Sequence, residues 1–117
     1  MNTIERLQKW YLAQCNGVWE HSSGIVIESL DNPGWQMKIN LKGTQAEKKD
    51  FKPVTKNVTP LGLDQAMGKV QPPYSAENPF AEEWMACFVR DGRFEGAGDG
   101  SRLDEIVSVF LNWVEVP

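Results

Sequence analysis

The chain has 117 residues, 41% of them hydrophobic and 24% charged, which describes one globular domain able to bury a core without metals or disulfides. No apolar run reaches the roughly 20 residues that cross a bilayer, and the charged, periodic N-terminus is unlike a secretory signal. The net charge of −4 disfavours phosphate backbones as partners, and the single histidine, His21, leaves no cysteine–histidine cluster with metal-ligand spacing.

The spacing predicts an amphipathic helix over residues 2–15, with Ile4, Leu7, Tyr11 and Cys15 on one stripe and Trp10 beside it. Asn2 caps this helix with Glu5 in the reciprocal position, and Asn16-Gly17 ends it. Val18–His21 reads as the start of the sheet, and Ser22-Ser23-Gly24 as a turn. Residues 24–30 are apolar on both faces at Ile25, Val26 and Ile27, the pattern of a strand covered on both sides. Asp31-Asn32-Pro33-Gly34-Trp35 predicts a type II turn with Gly34 at the positive-φ position. Trp35, Met37, Ile39 and Leu41 then alternate strictly with Gln36, Lys38, Asn40 and Lys42. That alternation predicts a strand with one buried and one wet face, paired antiparallel with residues 24–30.

Residues 43–82 carry Pro53, Pro60, Pro72, Pro73 and Pro79, and five basic residues fall between Lys48 and Lys69. A short strand around Phe51–Val58 and a helical turn at Leu63–Met67 are expected there. Trp84–Arg90 reads as a central strand, Asp91-Gly92 as a type I′ hairpin turn, and Arg93–Ala97 as the returning strand. Ser101, with Asp104 at the capping-box position, opens a second helix. Leu103, Ile106, Val107, Phe110 and Val114 follow at helical spacing, flanked by Leu111 and Trp113, up to the final proline. The fold expected is α+β: an antiparallel sheet of about five strands packed with an N-terminal and a C-terminal helix, in one domain over 1–117.

Few residues offer chemistry. Glu20-His21 is the one carboxylate–imidazole neighbour pair, but adjacent residues of a strand face opposite ways and cannot easily act on one atom. Gly96-Ala97-Gly98-Asp99-Gly100-Ser101 leads toward a helix N-terminus, where anions bind. Its spacing matches no nucleotide fingerprint, so a tight connection with a bending backbone is expected instead. Cys15 and Cys87 sit in apolar stripes as structural thiols in a reducing cytosol. Of five tryptophans, Trp19 and Trp35 lie near turns and are candidate exposed anchors for a partner. Acidic residues gather in the second half, among them Glu82, Glu83 and Asp91. Such a surface suits a basic partner, for example a nuclease whose site normally holds nucleic acid.

Trp10-Tyr11, Cys15-Asn16-Gly17, Trp19-Glu20-His21, Leu30-Asp31-Asn32-Pro33-Gly34-Trp35 and the ending Phe94-Glu95-Gly96-x-Gly98…Leu103…Ile106…Phe110…Trp113 together resemble the immunity protein 53 family of bacterial polymorphic toxin systems. The likeness runs in order over nearly the whole chain and is weakest across 43–82. It implies a protein that protects its cell by binding a cognate toxin domain, and with the small size and acidic balance the expectation is a cytoplasmic inhibitor that occludes the toxin's active site. It implies no catalytic residues, and composition and charge add the expectation of no cofactor, no metal, and neither nucleic acid nor membrane as direct partner. Glu82, Glu83, Asp91, Trp19 and Trp35 are then the candidate partner-binding residues. The alternative is a small ligand-binding domain or enzyme using Glu20, His21 and the Gly96–Ser101 segment.

Overall fold

The computed structural model describes residues 1–22, 24–31, 33–59, 62–64, 67 and 80–116, with the backbone alone for 80–82. Helix α1 spans Thr3–Gln14. Asn2 Oδ1 accepts the Glu5 N–H at 2.9 Å and Glu5 answers to the Asn2 N–H, so the capping box forms as its spacing predicts. Only Leu7 of its stripe is fully buried, and Ile4 is 53% exposed, against expectation. α1 leans on the second helix rather than on the sheet, and a single neighbouring element covers a narrower arc.

The chain then curls instead of extending. Residues Trp19–His21 form a 3₁₀ turn, which corrects the strand expected at Val18–His21. Its cause is local. Asn16 Oδ1 accepts the N–H groups of Val18 and Trp19, and the Glu20 carboxylate accepts those of Asn16 and Gly17 at 2.9 and 2.7 Å. Side chains that bond nearby backbone compete with ladder pairing.

Strands β1 (Ile25–Leu30), β2 (Gly34–Asn40), β3 (Val54–Val58), β4 (Phe80–Arg90) and β5 (Arg93–Asp99) form one antiparallel sheet in the order β1-β2-β5-β4-β3. The β1–β2 hairpin has the expected partners, with Ile25 opposite Ile39 and Leu30 opposite Gly34. Gly34 is thus already in β2 and lacks the positive φ that a type II turn through it requires. β1 is an edge strand whose Val26 and Ile27 are 37% and 39% exposed. It is not the doubly covered strand its apolar run suggests. At the far edge, Asn57 adopts φ 54° in an irregularity between Lys56 and Val58 that interrupts pairing with β4. A helical turn covers residues 62–64, and the Met67 N–H donates to the Leu63 carbonyl at 2.9 Å. Asp91 and Gly92 both adopt positive φ, 54° and 74°, as the type I′ hairpin requires.

Helix α2 (Leu103–Val114) lies across β5, β2 and β4 on one face of the sheet and buries Ile106, Val107, Phe110 and Leu111. Ser101 does not cap it. Its hydroxyl donates to Asp99 at 2.7 Å, and Arg102 takes the cap position without a side-chain bond. Met37, Ile39, Met85, Cys87 and Phe94 supply the sheet's side of the core. Each such buried side chain contributes about 1.5–3 kcal/mol. Edge-on or tilted ring contacts continue from Trp19 through Trp10, Phe110, Phe94 and Phe51 to Trp113, each at 4.9–5.7 Å between centroids.

Candidate functional site

The sequence candidates do not converge. Trp19 is 4% exposed. Its indole N–H donates to the Asn40 carbonyl at 2.9 Å, and its ring lies against Gly24, where an added Cβ would stand 2.8 Å from it. It is therefore an enclosed strut rather than the exposed anchor expected. Trp35 is half-buried and donates from Nε1 to the Gly100 carbonyl at 3.0 Å. Glu83 is exposed toward one end of β4, and Asp91 is exposed in the turn past its other end. At about 3.3 Å per extended residue they stand roughly 26 Å apart, too far to act as one patch. The Glu82 side chain lies outside the described residues.

Glu20 is used by the backbone. Its own N–H, with those of Asn16 and Gly17, holds its carboxyl below the usual carboxylate range against the effect of burial. His21 beside it is exposed, and neither residue lines the depressions described below.

The glycine-rich segment is a connection only at its end, where Gly100 and Ser101 lead from β5 toward α2. Residues 96–99 are the end of β5, the central strand. A Cβ on Gly96 would meet Ile106 Cγ2 at 2.5 Å, and one on Gly98 would meet Arg102 Cβ at 2.6 Å. The glycines admit helix α2 to close range, and no anion cradle is formed. Asp99, 8% exposed, ties the end of this strand together. It accepts from the Trp84 N–H at 2.8 Å and from the Ser101 N–H and hydroxyl at 2.9 and 2.7 Å, and faces Arg102 Nε at 3.2 Å. Burial opposes its ionisation, but these donors and the Arg102 charge prevail and hold its carboxyl down to about 2. Cys87 is fully buried, and burial pushes its thiol up to about 12, so it behaves as a structural hydrophobe.

Two depressions of about 440 Å³ mark the described surface. One lies beside the end of α2, between Trp10, Ala13, Lys49 and Val114. The Lys49 ammonium is already spent there on the carbonyls of Trp113 and Val116. The other is on the sheet face turned away from the helices, lined by Ser22, Val26, Lys38, Asn40, Lys42 and Arg93. Its floor is fixed, since Asn40 Nδ2 donates to Ser22 Oγ at 2.9 Å while Asn40 Oδ1 accepts the Lys42 N–H at 3.1 Å. Sequence reasoning passed over these cations. Lys38, Asn40 and Lys42 were legible as the wet positions of one alternating run, but Arg93 joins them only through its pairing with Asn40.

Among the described residues no group of histidine, cysteine, aspartate or glutamate could hold a metal ion, and no helix is long and apolar enough to cross a membrane. A family model described as immunity protein 53 matches residues 4–115. No curated protein and no solved structure matches the chain significantly.

Proposed function

The chain belongs to the immunity protein 53 family, and from that premise we propose that it binds a cognate polymorphic toxin domain in the cytoplasm and neutralises it by covering the toxin's active site. The match over nearly the whole chain carries this reading. The fold supports it as well. A sheet braced by α2 at Gly96 and Gly98, with its polar floor side chains bonded to one another, offers a rigid surface that loses little freedom on docking. Its mechanism is steric. A toxin such as a nuclease loses its function when its substrate groove is filled, whatever reaction it catalyses.

Glu83 and Trp35 are accessible enough to serve as individual contacts, while Trp19 supports the scaffold from within. Calorimetric titration with the toxin domain encoded beside this gene tests the reading. One-to-one binding on the order of nanomolar or tighter, with loss of toxin activity, is the expected result. Absence of binding at micromolar concentrations overturns it.

A further inference from the structure

Lys38, Lys42 and Arg93 face one concavity of about 440 Å³ in a chain whose net charge is −4. Among the described residues none of the three head groups has a hydrogen-bond or ion-pair partner. A carboxylate facing Lys38 is committed elsewhere. Glu95 stands opposite Lys38 in the β2–β5 register, but Arg90 reaches its two oxygens from the next strand at 3.1 and 3.3 Å. The stem of Lys42 lies over Gly92, where an added Cβ would approach its Cε to 2.9 Å, and this packing limits where its head can go. Like charges held around one hollow repel, and an anionic group entering it relieves that repulsion. The hollow also opens at Val26 on the edge strand β1, where no other described element pairs with its outer side.

Resting on the function proposed above, we infer that this basic concavity is the surface that receives the toxin, and that its occupant is a carboxylate-bearing segment of the toxin domain. The contact thus runs opposite in sign to the protein's overall charge. Long-range attraction comes from the local field of three cations, which adds to association rate more than to residence time. Asp91, at the hairpin tip near Arg93, weakens that field.

The test measures association kinetics between the full chain and the toxin domain at about 50 and 300 mM salt. Lys38→Glu with Arg93→Glu is expected to slow association about tenfold or more at the lower salt, and much less at the higher. Lys52→Glu, an exposed charge elsewhere, leaves the rate unchanged, and Asp91→Lys leaves it unchanged or raises it. Lys38→Gln with Arg93→Gln replaces the reversal if the latter does not fold, with a smaller slowing expected. Rates and affinity within twofold of the parent for both double variants, with the toxin still neutralised, overturn the concavity and leave the immunity reading standing. Slowing by Asp91→Lys likewise overturns it in favour of an acidic contact. A salt-sensitive affinity of this hollow for an oligonucleotide, with the toxin unaffected by the changes, overturns it in favour of a nucleic acid. If the parent chain itself fails to bind the toxin, both readings fall.

Discussion

Ile106 Cγ2 occupies the space next to Gly96 so closely that a β-carbon on that glycine would lie 2.5 Å from it. Helix α2 therefore rests on the backbone of the central strand, and the height of the helix above the sheet is set by a missing side chain. Gly96→Ala is expected to destabilise the fold by about 1–3 kcal/mol through overpacking. Gly98→Ala should cost more, because one of its neighbours is the Trp84 carbonyl at 3.0 Å, which belongs to the backbone and cannot rotate away. Urea denaturation of both variants checks the order. A cycle with Ile106→Ala should recover part of the Gly96→Ala cost, since that change removes the colliding methyl group.

Asp99 predicts an acid-side loss of stability. Its folded pKa, about 2, lies below its ordinary value of 3.8. A depressed carboxylate contributes its stability in full above the unfolded pKa and loses it as pH falls through the folded one. Unfolding free energy should therefore decline between about pH 4 and pH 2. Asp99→Asn keeps the shape but loses charge and acceptor capacity. It should cost about 2 kcal/mol at neutral pH and flatten the decline below pH 4. Chemical denaturation at a series of pH values measures both.

Trp19 separates two meanings of a motif tryptophan. Enclosed against Gly24, with its N–H on the Asn40 carbonyl, it supports the fold. Trp19→Ala should cost about 3–5 kcal/mol and lower protection of the cell through the amount of folded protein. At a temperature where the variant stays folded, its affinity for the toxin should match the parent's. A lost affinity in the folded variant would make Trp19 a contact.

The two thiols should differ in reactivity. Cys87 is buried with its thiol held near 12, whereas Cys15 is half-buried at the end of α1, 3.3 Å from the Tyr11 carbonyl. An aromatic disulfide reagent at neutral pH should therefore titrate one thiol in the folded protein and two after denaturation.

What the sequence determined by itself was local in origin. The Asn2–Glu5 box, the Asp91-Gly92 turn and the alternation of β2 are each decided by residues within a few positions of one another. The same range of forces misled where two local preferences competed. Val18–His21 has strand-forming residues, yet Asn16 and Glu20 captured the backbone donors and wound it into a turn. Val26 and Ile27 read as doubly buried because a run of apolar residues does not reveal whether both faces of its strand are covered.

Features that depend on strand order arise from contacts between distant parts of the chain. β5 enters between β2 and β4, and that single insertion gives Gly96 and Gly98 a helix to admit and sets Arg93 beside Asn40, between Lys38 and Lys42. It also places Glu95 opposite Lys38, although Arg90 holds that carboxylate from β4. Burial and charge proximity are properties of pairs far apart in the chain. They are therefore fixed by which surfaces can be packed together at once, a condition that no short window of sequence contains.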